Sequence, residues 1–245
     1  MAIQAAESAA KEILAIYNSG DFQAELKGDN SPLTRADKKA HEVIVKLLTP
    51  SELPILSEEG KNIPYAERRD WEYFWMVDPL DGTKEFIKRN DEFTVNIALI
   101  HENKPMLGVV VVPVGGDIYY AVKGAGAYLR QNEIEERLAV RPPVDLNATG
   151  LRVVASRSHM NPQTEQYIGQ LRDAVLVSAG SSLKFTLIAA GKADLYPRFG
   201  PTMEWDTAAP HIIINEVGRR ILQHNSEAEL LYNKENLLNP NFLVI

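Results

Sequence analysis

Asp78 and Asp81 stand three residues apart where an apolar run gives way to a Gly-Thr pair, in the stretch Trp75–Phe86 that reads WMVDPLDGTKEF. Such an arrangement suits metal-assisted attack on a phosphate ester, because carboxylate oxygens hold a hard cation while backbone amides just beyond them meet the anion. Residues Tyr73–Val77 are aromatic and β-branched, which predicts a buried strand with Asp78 at its end. Pro79 and Gly82 then bend the chain enough for Asp78, the Leu80 carbonyl and Asp81 to face one point. The amides of Gly82 and Thr83 follow, placed to open a helix.

Taken alone, this is also how an ordinary solvated turn is written, since Asp, Pro and Gly are turn residues. Three more carboxylates shift the balance. Glu58 ends a strand in ILSEEG, Asp37 lies early in a helix, and Asp206 follows Trp205 in MEWDTAA. Each is at an element boundary, where side chains reach shared clefts. Glu59 competes with Glu58, which is preferred as the ligand, leaving Glu59 as an outer charge. Pro210 has no N–H and is best tolerated in a first turn, so the helix through HIIINEV is predicted to begin near Asp206 or Thr207. Asp206 is then either a plain N-cap or a cation-facing group. Oxygen donors at these spacings suit Mg²⁺. Two ions roughly 3.5–4 Å apart, bridged by Asp78, would take Glu58 and the Leu80 carbonyl on one side, Asp81 and Asp206 on the other.

Bulk properties narrow the setting. The chain has 245 residues, enough for one large domain or two modest ones. It contains no cysteine, which removes disulfides, thiolate metal sites and cysteine nucleophiles together. A net charge of −7 argues against nucleic acid, although a local basic pocket or metal cluster can still capture a small phosphate. No signal peptide or membrane-spanning run is expected, so cytoplasm is the default, with peripheral association with the inner membrane left open.

The elements that must position these groups follow from periodicity. Ile3–Tyr17 predicts an amphipathic helix ended by Gly20, and Leu33–Leu48 a second one stopped by Pro50. Lys27–Pro32, reading KGDNSP, predicts a mobile loop. Short apolar runs around Ile55, Val77, Val95–Ile100, Leu107–Val112, Ile118–Val122 and Ala127–Leu129 predict a sheet with hairpins. Arg141–Gly150 has linker composition, and strand-like and helix-like stretches alternate after it. The expectation is an α/β protein with an α+β half over 1–145 and an α/β half over 146–245.

The pairing of DPLDGT with EWDTAA resembles the signature of the inositol monophosphatase superfamily of Mg²⁺-dependent, Li⁺-sensitive phosphatases. KGDNSPLTRAD, LSEEG, DPLDGTKEF, SRSH, AGSSLKF and ADLYPRFGPTMEWDTAA, in family order over most of the chain, narrow the resemblance to the bacterial 3'(2'),5'-bisphosphate nucleotidases of the CysQ type. The resemblance implies a layered αβαβα sandwich and two or three Mg²⁺ ions held by Glu58, Asp78, the Leu80 carbonyl, Asp81 and Asp206. It implies that Asp37 and Thr83 position or deprotonate the attacking water, with Glu58 counted among the catalytic groups. Gly82 and Thr83 amides would hold the scissile phosphate, with Leu80, Asp81 and Asp206 also beside the substrate. His159, Ser181, Lys184 and Arg198 match residues that contact the nucleotide, including its second phosphate. The implied reaction releases AMP and phosphate from adenosine 3',5'-bisphosphate, with 3'-phosphoadenylyl sulfate as an additional substrate in sulfur assimilation. Pro210 departs from the family pattern WDTAAGH, where a glycine is usual.

Blander readings apply elsewhere. Lys84 and Glu85 read as an exposed helix pair and Phe86 as core, as do Trp205 and the Tyr73–Trp75 aromatics. His41, His101, His211 and His224 read as structural or solvated, and Lys27 and Asp29 as turn chemistry. The rival functions are an inositol or sugar phosphatase, which would share every metal ligand, and a non-catalytic phosphate or nucleotide sensor on the same fold. A monomer and a homodimer are equally compatible with the sequence.

Overall fold

Alternation of side chains along the central strands places two apolar faces on one sheet, and that sheet organises the molecule. The computed structural model describes residues 1–26, 32–155 and 160–245. Helix α1 (Ala2–Ser19) is followed by a short ribbon, β1 (Glu25–Leu26) and β2 (Pro32–Leu33), and then by α2 (Arg35–Leu48). Pro50 falls in a 3₁₀ turn, Thr49–Ser51, that continues directly from α2. Strand β3 (Ile55–Ser57), helix α3 (Tyr65–Arg68), strand β4 (Tyr73–Asp81) and helix α4 (Thr83–Lys88) come next. A meander then runs through β5 (Thr94–His101), β6 (Lys104–Val112), β7 (Asp117–Val122), β8 (Gly126–Gln131) and β9 (Ile134–Arg137). These seven strands form one sheet in the order β3-β4-β5-β6-β7-β8-β9, antiparallel except for the β3/β4 pair.

The second half contains β10 (Arg152–Ala155), α5 (Pro162–Ile168), β11 (Val175–Ser178), α6 (Leu183–Ala189), β12 (Tyr196–Arg198), α7 (Glu204–Glu216), β13 (Ile221–Gln223) and β14 (Phe242–Val244). Strands β10 and β11 pair in parallel, whereas β12 and β13 flank β14 antiparallel. A bridge from Val153 to Leu195 joins the two sets. The layers are α1 and α2, the seven-stranded sheet, α6 and α7, the smaller sheet, then α5. This α/β sandwich is the architecture expected.

Burial follows the strand period of two. Trp75, Val77, Val95, Ile97, Val109 and Val111 face α1 and α2, while Phe74, Met76, Ala98, Ile100, Val110 and Val112 face α7. The second cluster also contains Phe185, Ile188, Ala208, Ile212, Phe242 and Val244, so one core crosses the sequence boundary near residue 145. Tyr73 departs from the core expectation: it begins β4 with 38% exposure and stacks on His101.

Helix α7 lies directly on the sheet because Gly108 in β6 has no side chain. A Cβ there would sit 2.2 Å from the Ala209 carbonyl and 2.6 Å from Ile212 Cγ2. Backbone cannot yield as a flexible side chain can, so Gly108→Ala is expected to cost about 1–3 kcal/mol in chemical denaturation. An unchanged denaturation midpoint would show that α7 can ride away from the sheet.

Candidate active site

One cavity of about 500 Å³ gathers most of the chemistry. Its wall includes Glu58, Asp78, Leu80, Asp81, Gly82, Thr83, Ser181, Lys184, Arg198 and Asp206. Asp37 reaches it through Thr83, whose hydroxyl lies 3.1 Å from Asp37 Oδ1 and 3.3 Å from the Leu80 carbonyl. His159 lies outside the described residues, as do Lys27 and Asp29.

Strand β4 runs through Pro79 to Asp81 instead of ending at Asp78. The register against β5 slips between Asp78, opposite Asn96, and Asp81, opposite Thr94. A bulge re-aims side chains without ending the pairing, which brings two nearby carboxylates to one side. Asp78 is 1% exposed and accepts the Leu80 N–H at 3.0 Å. Gly82 follows at φ 94°, where a Cβ would also crowd the Glu92 carbonyl at 3.0 Å. Both strain and space therefore require glycine before α4.

Asp37 is fixed by capping. It is the third residue of α2 and accepts the Thr34 N–H at 2.7 Å as well as the Thr34 hydroxyl, so the N-cap locks the carboxylate in place. Glu58 is tied to the sheet by its N–H on the Val77 carbonyl at 3.1 Å, whereas Glu59 is not on the cavity wall.

Asp206 corrects the sequence expectation. Helix α7 begins at Glu204, so Asp206 is its third residue, not its cap, and accepts the Met203 N–H at 2.9 Å. Pro210 lies well inside the helix. Glu204 supports this turn from behind, its buried carboxylate accepting the Asn233 and Lys234 N–H groups and pairing with the Lys234 ammonium.

The electrostatics follow from crowding. Burial, then the carboxylates of Glu58, Asp81 and Asp206, raise Asp78 well above the usual carboxylate range. Burial, then Asp81 and Glu58, do the same to Asp206 against the opposing pull of the Met203 N–H and Arg198. Burial also raises Asp37, partly offset by Thr34 and Thr83. Across the cavity, Lys184 is 7% exposed and its ammonium sits 5.7 Å from the Tyr196 ring. Burial pushes it down to about 8; Arg198 adds to the drop, and Asp81, Glu85 and Asp206 oppose it. Arg198 donates to the Pro201 carbonyl at 2.8 Å, and among the described residues its buried Nε has no partner.

Comparison with known proteins settles the lineage. The inositol monophosphatase family model matches residues 1–243. The chain belongs to this family. It is 44% identical over 248 residues to the 3'(2'),5'-bisphosphate nucleotidase CysQ of Salmonella typhimurium, covering 98% of this chain and 96% of that one. CysQ from Bacteroides thetaiotaomicron, known from its crystal structure, is 49% identical and has a TM-score of 0.88, with 99% of this chain and 94% of that one covered. A staphylococcal inositol monophosphatase, solved as a lithium-soaked inhibitory complex, shares the fold at a TM-score of 0.78 and 20% identity, covering 97% of this chain and 85% of that one.

Inositol monophosphatase family members are metal-dependent, and the donor set here fits a hard cation: the carboxylates of Glu58, Asp78, Asp81 and Asp206 with the Leu80 carbonyl, and no thiolate or imidazole on the wall among the described residues. Among the described residues no three acidic or histidine side chains close a shell by themselves. Water and phosphate oxygens would have to complete it, as Mg²⁺ ordinarily requires.

Several wall residues received no role from the motifs. Tyr196, Pro201, Thr202, Met203 and Leu238 line the side of the cavity that carries Lys184 and Arg198. Leu238 arrives from near the C-terminus, bridged to Met203. Glu85, read from sequence as exposed, is 8% exposed and turned into the cavity wall, because the short α4 packs its first turn inward; Phe86 is core. Thr34 falls inside the helix Leu33–Leu48 that the sequence predicts, but the structure makes it the N-cap of α2. His41 bonds Ser57 at 2.9 Å and His211 bonds Tyr232 at 2.8 Å, both away from this wall.

Raised carboxylate pKa values make the folded chain bind more protons than the unfolded one. Their stabilising contribution is complete below the ordinary carboxylate range and is lost as pH climbs through the raised values. The melting temperature of chelator-treated protein is therefore expected to fall between about pH 5 and pH 8. Saturating Mg²⁺ should restore about 5–10 °C at the upper end. A pH-independent melt, or one that Mg²⁺ leaves unmoved, would contradict the crowded-carboxylate picture.

Proposed function

We propose that this chain is a Mg²⁺-dependent phosphomonoesterase that removes the 3'-phosphate of adenosine 3',5'-bisphosphate, giving AMP and inorganic phosphate. The observation that carries the reading is the polarity of one cavity, with Glu58, Asp78, Asp81 and Asp206 on one side and the buried Lys184 with Arg198 on the other. One end suits a cation-bridged phosphate and the other a second phosphate. The 3'(2'),5'-bisphosphate nucleotidase CysQ at 44% identity and the CysQ structure at 49% support the same assignment. 3'-Phosphoadenylyl sulfate has the same 3'-phosphate and is a further substrate on this reading, with sulfur assimilation in the cytoplasm as the setting. No helix among the described residues is long and apolar enough to cross a membrane.

Glu58, Asp78, the Leu80 carbonyl, Asp81 and Asp206 would hold two or three Mg²⁺ ions. When bound, the ions would neutralise the phosphate dianion, acidify a water and offset charge developing on the ribose oxygen. The chain supplies orientation and a proton path. Thr83 Oγ1, donating to Asp37 Oδ1, keeps its lone pairs free to accept a proton from the attacking water. Threonine is too weak a base to keep that proton, so it moves on to Asp37 Oδ1, whose raised pKa suits an acceptor. The Gly82 and Thr83 amides, at the start of α4, orient the phosphate. The bond between phosphorus and the 3'-oxygen breaks as the one to water oxygen forms, and the departing 3'-oxygen takes a proton from solvent water, leaving AMP with a 3'-hydroxyl. Lys184 acts as a point charge on the 5'-phosphate, and Arg198 can fork onto its oxygens.

The test is phosphate release from adenosine 3',5'-bisphosphate and from inositol 1-phosphate, with and without Mg²⁺. Turnover is expected to need Mg²⁺ and to favour the nucleotide, and Asp78→Asn should lower it at least about hundredfold on either substrate. Preference for inositol 1-phosphate would move the chain to the inositol phosphatases, and binding without turnover would make it a sensor.

Lys184 gives a separate handle. Lys184→Met should raise KM for the bisphosphate about tenfold or more while leaving that for 3'-AMP within about threefold. In the unsubstituted chain, kcat/KM for the bisphosphate should fall relative to 3'-AMP as pH passes about 8 and the ammonium loses its charge. Parallel profiles for the two nucleotides would remove Lys184 from the 5'-phosphate.

A further inference from the structure

Ser182 is fully buried just ahead of α6, and three groups converge on its hydroxyl. Asn96 Nδ2, from β5, donates to Ser182 Oγ at 2.9 Å, which leaves the serine proton to point elsewhere. Two acceptors lie there: Asp81 Oδ2 at 2.7 Å and the Asp206 main-chain carbonyl at 3.2 Å. A hydroxyl has one proton, and with both acceptors in reach that proton serves the two together as a three-centre hydrogen bond.

The Asp206 carbonyl is available because of Pro210. Within a helix that carbonyl would accept from the N–H of the residue four positions on, and at 210 there is none. A proline ring in a helix also clashes with the carbonyl four residues earlier, which disfavours regular helical geometry there. Any other residue at 210 would supply the N–H and occupy it. The proline thus explains why a helix whose first turn carries Asp206 is also tied to the loop ahead of α6.

We propose that Ser182 is a positioning residue of the carboxylate cradle, sharing its proton between Asp81 and the Asp206 carbonyl that Pro210 leaves free. One hydroxyl thereby couples the end of β4 to the first turn of α7, the two elements that carry Asp81 and Asp206. The claim rests on the metal reading above only where it concerns cation affinity. A group that orients a ligand carboxylate through its second oxygen commonly changes metal affinity 10–100-fold when removed.

The experiment is a double-mutant cycle with Ser182→Ala, Pro210→Ala and the pair, read by metal-free melting temperature and by Mg²⁺ titration calorimetry. With Pro210 in place, removing the hydroxyl strands two acceptors. In the Pro210→Ala background it strands one, because the alanine N–H at that position takes the Asp206 carbonyl. Ser182→Ala should therefore lower the metal-free melting temperature by about 2–4 °C more with Pro210 in place than in the Pro210→Ala background. It should also weaken Mg²⁺ binding about tenfold or more. Equal melting losses in the two backgrounds would overturn the shared proton, and Mg²⁺ affinity within about twofold would overturn the positioning role. Should Ser182→Ala fail to fold, Ser182→Cys keeps the volume while donating only weakly, and carries the same comparison. If the unsubstituted chain gave no Mg²⁺ heat, the metal reading would fail, and the metal-free melting cycle would still decide the shared proton.

Discussion

Carboxylates gathered at one cavity repel each other, and the fold is arranged so that none of the elements carrying them can relax away. Asp78 sits in a strand paired on both sides, Glu58 follows the neighbouring parallel strand, and Asp37 is held by the N-cap of α2. Asp206 occupies the first turn of a helix pinned to the sheet through Gly108. Four elements from distant parts of the sequence therefore bear a standing electrostatic cost at one place. Burial amplifies that cost, because a charged carboxylate loses its hydration and gains no counter-charge from the neighbouring acids. A site built this way is poised for cations, whose arrival converts the repulsion into attraction.

The opposite wall explains how an acidic chain can receive a polyanion. A net charge of −7 acts at long range and is screened within about 8–10 Å, whereas Lys184 and Arg198 act at contact. Lys184 is buried against Tyr196 and sees Asp81 and Asp206 across the cavity, so its charge is maintained by the same acids that a cation would neutralise. The two walls are electrostatically linked. The segment reaching Leu238 closes the cavity, strapped to the start of α7 by the Glu204 N–H on the Leu237 carbonyl and by the Asn239 side chain on the Met203 carbonyl.

Much of this was legible in the chain because local chemistry dictated it. Short apolar runs in Val95–Ile100 and Leu107–Val112, bounded by turn residues, pointed to strands, and the spacing of Ala36, Ala40 and Ile44 pointed to a helix face. DPLDGT announced its own bend. Where the reading failed, a long-range contact overrode a local rule. Pro210 pointed to a helix start near Asp206, yet Ser182 satisfies the carbonyl that the proline abandons and the helix begins earlier. Glu85 looked solvated because it is charged and follows Lys84, but the tight αL turn at Gly82 rotates it inward.

By itself the sequence determined which groups could take part: five acidic residues at element boundaries, a Gly-Thr pair for the phosphate, and a lysine and an arginine far along the chain. Propensity and periodicity are local, so they also determined most strands and helices. Tertiary structure alone decided which groups meet. The slip between β4 and β5 aims Asp78 and Asp81 together, the missing Cβ of Gly108 sets the depth of α7, and a single hydroxyl joins the elements bearing Asp81 and Asp206. Those outcomes depend on packing and hydrogen bonds between residues up to about a hundred positions apart, and no local pattern encodes them.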